Sequence, residues 1–197
     1  METIAPIEDL AQVATRWQDT MLSLEKEYEQ EPEVLKIGGM PVGTLGNFSA
    51  SIGKAKSKKT FNVSAIVASA LSGKEVLKYK AELPSCKNRI LYIDTEQSKC
   101  HCHKVLHRIL KLAGLPTAQE NDNIQFLVLR EYTPDQRRDI IRWALHEEQN
   151  IGLVIIDGIR DLIHDINSPS ESLDIINELM RWSRYYELHI HTVLHLN

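Results

Sequence analysis

Gly53-Lys54-Ala55-Lys56-Ser57-Lys58-Lys59-Thr60 lies between a stretch that reads as a strand and one that reads as a helix. These residue types at that junction suit anion binding. Successive backbone N–H groups at a helix N-terminus form a cradle for phosphate oxygens. The spacing follows the phosphate-loop pattern G-x-x-x-x-G-K-[ST] at Gly53, Lys59 and Thr60, and places Lys58 where the second glycine belongs. In that pattern Lys59 reaches the β- and γ-phosphates of a nucleoside triphosphate such as ATP, and Thr60 ligates the accompanying Mg²⁺. Backbone approach to the phosphates requires the Lys58 side chain to turn away. Taken alone, the segment also reads as a lysine-rich solvated loop.

Two carboxylates extend the chemistry. Leu153-Val154-Ile155-Ile156-Asp157 is an apolar strand ending in an acid, the arrangement that holds Mg²⁺ in phosphate-loop ATPases. Ile90-Leu91-Tyr92-Ile93-Asp94-Thr95-Glu96 delivers a second acid past a strand end. Ligands of open α/β sheets bind beyond the C-terminal strand ends, so Glu96 is expected in one crevice with Lys59 and Asp157. There it is placed to orient or deprotonate the water that attacks the γ-phosphate.

The elements that must position these residues follow from periodicity. Strands are expected at 34–37, 44–50, 89–94, 124–129, 152–157 and 189–196, and helices at 58–72, 98–113, 134–149 and 169–187. Strands apolar on both faces belong in a parallel sheet covered by helices. Thr133-Pro134-Asp135-Gln136 and Ser168-Pro169-Ser170-Glu171 read as capping boxes with proline at the first helical position. Ahead of this body, Ile7, Leu10, Ala14, Trp17, Met21, Leu24 and Tyr28 form a narrow seam at heptad spacing, so residues 7–30 read as one helix. That helix either docks on its own body or packs on a neighbouring subunit.

Composition narrows the class. The chain has 197 residues, 43% hydrophobic and 25% charged, which is globular composition and excludes a disordered or collagen-like chain. No apolar run approaches the ~18–20 residues that a membrane helix needs. The acidic N-terminus does not read as a secretory signal, and three cysteines make no disulfide framework, so a cytoplasmic location is expected. Net charge is −4, but residues 1–33 hold nine acids and two bases while the remainder is net +3. An acidic arm (1–33) before a mildly basic nucleotide-binding domain (34–197) fits an anionic ligand on the body.

In motif order, residues 34–197 resemble the RecA-like ATPases, especially the DnaB/RepA-type hexameric helicases and related ATPases of bacterial mobilisable elements. The matching pieces are the loop 53–60, the YIDTE segment 92–96, the VIID strand 154–157 and the last strand, Thr192 to Asn197. The resemblance implies a RecA-like α/β fold, a mostly parallel sheet flanked by helices and preceded by the helical arm. It implies ATP and Mg²⁺ as ligands, Glu96 as the catalytic carboxylate, and His195 or Asn197 as sensor of the γ-phosphate. It also implies a role in replication or mobilisation of a mobile element, single-stranded DNA as partner, and a homo-oligomer, for which the heptad seam of the N-terminal helix offers the contact. In that family the chain continues past the last strand with a DNA-binding loop and an arginine finger. Since such a finger supplies ~10³–10⁵ in rate, slow hydrolysis and no unwinding by this chain alone are expected. The alternative reading is a nucleotide-binding or oligomerisation scaffold with weak catalysis.

Other residues carry less. Ser98-Lys99-Cys100-His101-Cys102-His103, with His107, invites a zinc reading, but alternate residues on a helix diverge by about 200° and cannot all face one ion. His103 and His107 remain an i,i+4 pair. Arg160, Asp161 and Asp165 are expected to line the crevice, Arg137, Arg138 and Arg142 to form a solvated helix face, and Trp143 and Trp182 to be core.

Overall fold

In a computed structural model of the chain, residues 10–54 and 58–196 are described. The expected helix start at Ile7, the loop residues Ala55, Lys56 and Ser57, and Asn197 lie outside them. The chain divides into two units, Met1–Gln30 and Glu31–Asn197.

The first unit contains α1 (Leu10–Thr20), not the helix through residue 30 that the seam suggests. The last turn shows why it stops. Thr20 Oγ1 donates to the Trp17 carbonyl at 2.7 Å, and the Met21 N–H reaches only to Gln18, three residues back. Residues 11–33 are exposed throughout, so no burial extends the helix against its nucleation cost.

The second unit holds two sheets. The smaller, order β2-β1-β4, joins β1 (Glu33–Ile37) antiparallel to β2 (Met40–Thr44) and to β4 (Tyr79–Ala81). The expected strand over 44–50 is therefore two strands. Gly46 takes φ +75°, and Asn47 Nδ2 donates to Thr44 Oγ1 at 2.8 Å, which turns the chain from β2 into β3 (Phe48–Lys54). β4 is too short for a periodic signal.

The larger sheet is parallel, with order β3-β8-β7-β5-β6, adding β5 (Arg89–Asp94), β6 (Ile124–Val128), β7 (Ile151–Asp157) and β8 (His189–Leu196). All seven residues of β7 are buried, as strands covered on both faces must be. Side-chain alternation sorts the core into two layers. Leu91, Ile93, Val154, Ile156 and Ile190 pack with α4 (Pro134–Glu147) and α5 (Pro169–Tyr185). Ile90, Tyr92, Leu153, Ile155 and Val193 pack with α2 (Lys59–Ser72) and α3 (Lys99–Ala113). The same alternation puts Asp94, Asp157 and His195 on the α2/α3 face at the C-terminal edge. Register sets Asp94 beside Asp157 and Gly53 beside His195.

Thr133 forms the full capping box with Gln136. Ser168 caps only one way: its hydroxyl accepts from the Glu171 N–H, while the Glu171 carboxylate takes the His164 and Asp165 N–H groups instead.

Candidate functional site

The site begins where β3 hands over to α2. Lys58 precedes the helix at φ +61°, ψ +25°, the left-handed conformation that glycine adopts without strain. Its side chain is exposed. Lys59 is buried, and its ammonium donates to the Gly53 carbonyl at 2.5 Å and the Lys54 carbonyl at 2.7 Å. It thereby joins the chain leaving the loop to the chain entering it. Thr60 Oγ1 donates to Asp157 Oδ2 at 3.2 Å, across from the end of β7.

Asp157 is 3% exposed. Tyr92 donates its hydroxyl to the same Asp157 oxygen at 3.2 Å, and its ring stacks on Phe126 with centroids 4.3 Å apart. Burial first, then the charges of Asp157 and Asp94, hold the Tyr92 phenol well above its ordinary pKa, so it stays a donor. The other Asp157 oxygen lies 3.6 Å from His195 Nε2 on β8. The same nitrogen is 3.5 Å from Glu96 Oε1. Thr60 at the start of α2 thus comes together with Asp157, Glu96 and His195 from the ends of β7, β5 and β8.

Asp94 builds the turn that presents Glu96. Its carboxylate accepts from the N–H of Glu96 at 3.0 Å, the N–H of Gln97 at 2.7 Å and Gln97 Nε2 at 3.0 Å. Burial raises the Asp94 pKa against these bonds. Nearby, burial foremost and then Asp94 push the Cys102 thiol up to about 12, which keeps it a neutral core group. Thr95 Oγ1 lies 2.7 Å from Asp161 Oδ2, 3.0 Å from the Gly158 carbonyl and 3.1 Å from that of Asp157, pinning the turn to the end of β7. The Glu96 pKa is raised. Burial is the main cause, the charges of Asp161, Asp157 and Asp94 add to it, and His195 opposes them.

The donor set suits a hard cation. A hydroxyl and a carboxylate oxygen face each other at Thr60 and Asp157, and the buried carboxylate has two hydroxyls and an imidazole around it among the described residues. Oxygen donors of this kind are what Mg²⁺ takes.

Several expectations need correction. Arg138 and Arg142 are not a solvated face: both pair with Glu178, whose side chain is 4% exposed. Arg137 spans to the carbonyls of Leu129, Arg130 and Asp161. Trp182 is core, but Trp143 is 66% exposed. Arg160 and Asp161 follow β7 directly, whereas Asp165 is exposed and turns its carboxylate to the Asn167 N–H. The sequence reading missed Tyr92 and Thr95. Alternation along β5 was the available signal, since it puts Tyr92 on the face of Asp94. It also missed a buried line between β3 and β8: Ser49 Oγ lies 2.8 Å from both His189 Nε2 and His191 Nδ1, and Ser51 Oγ lies 2.9 Å from His191 Nε2.

A parallel sheet flanked by helices, with a phosphate-loop lysine and threonine at one strand end and acids at the next, defines a RecA-like, phosphate-loop ATPase type of domain. A family described as "AAA domain" matches residues 15–197. The chain belongs to that family. No curated protein matches it. Among the described residues, no helix is long and apolar enough to cross a membrane.

Proposed function

We propose that the chain hydrolyses ATP as a helicase-type domain acting on single-stranded DNA, in replication or mobilisation of a bacterial mobile element. The observation that carries the hydrolytic part is the convergence of Thr60, Asp157, Glu96 and His195 beside the buried Lys59. The nucleic-acid part and the mobile-element setting are supported by the order of the motifs and their resemblance to DnaB/RepA-type ATPases.

In this reading the backbone of Gly53–Thr60, with Lys54, Ala55, Lys56, Ser57 and Lys58 in the loop, cradles the phosphates. Lys59 exchanges its two carbonyl partners for β- and γ-phosphate oxygens. Thr60 and Asp157 hold Mg²⁺, which supplies charge neutralisation on those oxygens when bound. Glu96 orients the attacking water and accepts its proton; a carboxylate whose pKa is raised by burial is the stronger base. His195, next to Glu96, reports the γ-phosphate, a role it shares as candidate with Asn197.

A second reading, a binding or assembly module with weak catalysis, is favoured by α1. Val13 and Trp17 lie four residues apart on α1 and are both exposed, which suits a helix that packs on another copy of the chain.

Calorimetric titration with Mg·ATP, paired with a phosphate-release assay, separates the two. Wild-type protein should bind and turn over. Lys59→Ala should lose binding, and Glu96→Gln should keep binding while turnover falls at least ~100-fold, the scale of a lost general base. Binding without turnover in the wild type would sink the hydrolytic reading and leave the binding module. Turnover unaffected by Glu96→Gln would remove Glu96 from its role.

A further inference from the structure

Helix α3 has a surface that the ATP site does not use. Its fifteen residues include Lys99, Lys104, Arg108 and Lys111 and no acid, although the whole chain is net −4. Its inner face is set by Cys102, Val105, Ile109 and Leu110, which are buried against the sheet. Lys104, Arg108 and Lys111 fall within about 60° of one another on the opposite side, Lys104 and Lys111 exposed and Arg108 half-buried. At 1.5 Å per residue the strip from Lys104 to Lys111 runs about 10 Å.

The four cations make no ion pair among the described residues, unlike Arg138 and Arg142 on α4. His103 and His107 sit between them with their Nε2 atoms 3.2 Å apart, hydrogen-bonded to each other and not to a carboxylate. His103, Lys104, His107, Arg108, Lys111 and Leu112 line a shallow hollow of about 640 Å³. An aromatic ring flanks it: Phe61 on α2 is 39% exposed, and the Arg108 guanidinium lies 6.0 Å from its centroid.

We infer that this face of α3 is an electrostatic track for a single-stranded nucleic acid, with Lys104, Arg108 and Lys111 on the phosphates and Phe61 offering a stacking surface. The inference rests on the proposed action on a nucleic-acid strand and names where the strand lies. Cations in file with one ring at the flank match the backbone groove and stacking platform of sequence-tolerant single-strand binders. A protein partner would instead be expected to meet an apolar centre, and Leu112 is the one apolar side chain among the described residues of the hollow.

The test is fluorescence anisotropy with a labelled oligothymidylate across about 50–200 mM KCl, with Mg·ATP binding measured on the same preparations. Each phosphate contact on a single strand contributes about −0.7 to the slope of log K against log salt, so three give about −2.1. That slope weakens binding about twenty-fold over this range. The triple variant Lys104→Ala, Arg108→Ala, Lys111→Ala should bind ATP as wild type does and have a slope shallower by about 2. The charge-conserving triple Lys104→Arg, Arg108→Lys, Lys111→Arg should keep the wild-type slope.

If the wild type binds the oligonucleotide and the alanine triple is unchanged, the strand lies elsewhere and the inference falls while the nucleic-acid reading stands. If the charge-conserving triple loses the slope too, packing and not charge is responsible, and the inference falls. If ATP binds but no oligonucleotide does, the inference and the nucleic-acid partner fall together and the ATP site survives. Saturation by polyglutamate in that last case would reassign the strip to acidic protein segments.

Discussion

Gly158, the residue after Asp157, is where the two acidic strand ends meet, and replacing it should damage both stability and the site. It sits at φ +106°, outside the conformations open to residues with a Cβ. An added Cβ would lie 2.1 Å from Thr95 Oγ1, 3.1 Å from Asp161 Oδ2 and 3.2 Å from Glu96 Cγ. Thr95 cannot swing aside without leaving its three oxygen partners, and it is 2% exposed. The backbone strain is about 1–3 kcal/mol and the overpacking adds about 1–3 kcal/mol. A total near 3 kcal/mol lowers Tm by about 6–12 °C in a chain of this length. Thermal unfolding of Gly158→Ala measures it, and turnover should fall because Glu96 is displaced. Thr95→Ala removes the nearest atom, so the double variant should be about 1–3 kcal/mol less destabilised than the two single effects added together, the range of coupling seen between touching residues. A melt within about 2 °C of wild type, or additive single effects, would refute this account of the Thr95–Gly158 contact.

The loop and the buried histidines yield two further expectations. Lys58→Gly should relieve about 1–2 kcal/mol of left-handed strain and give back about 0.4–1 kcal/mol in unfolded-chain entropy. Tm should therefore rise by about 1–4 °C, and a fall would show that the Lys58 side chain contributes a contact of its own. His191 has its pKa lowered from 6.5 to about 4, by burial first and by neighbouring His189 second. As pH falls through 6.5 the unfolded chain takes a proton that the folded chain declines. Stability is thus whole above pH 6.5 and declines toward pH 4, by about 3 kcal/mol in all and about 2 kcal/mol between pH 7 and 5. His191→Gln should flatten the decline in Tm over that interval. The raised carboxyl groups of Asp94 and Glu96 act with the opposite sign, but they are present in both proteins and cancel in the difference. An equal decline in both proteins would exclude His191 as its source.

What was legible in the sequence was what repeats or what matches a spacing. Strands β5 and β8 fall where alternation and apolar runs place them, α2 and α3 start within a residue of their expected positions, and α4 and α5 start directly after their cap signals. The loop, Asp94–Glu96 and Asp157 could be set at one edge because parallel strands all end there. What stayed hidden depends on pairs distant in the chain. The seam of α1 has the period of a helix, but period does not reveal whether anything covers it, and without cover the helix stops at Thr20. Arg138 and Arg142 look like surface charge until α5 brings Glu178 against them. Trp143 and Trp182 are the same residue type on helical elements, and only packing separates the exposed one from the buried one. The split between β2 and β3 turns on Gly46, a glycine that sequence alone permits within a strand.

In the proposed mechanism, the placement of Glu96 among four carboxylates is the reason for its role. Asp94, Asp157, Asp161 and Glu96 crowd one end of the sheet, and three of them already hold donors. Asp94 accepts three N–H bonds, Asp157 takes the hydroxyls of Thr60 and Tyr92, and Asp161 takes that of Thr95. Those donors occupy the lone pairs of the three aspartates and fix their orientation. Among the described residues, Glu96 has only the His195 ring at 3.5 Å, and its pKa is raised. A proton acceptor must be both unspent and basic near neutral pH. The other three acids serve its position: Asp94 folds the turn beneath it, Asp161 anchors Thr95 beside it, and Asp157 fixes the strand end opposite. Substitution at Asp94 would therefore act on catalysis through geometry, and substitution at Glu96 through the proton itself.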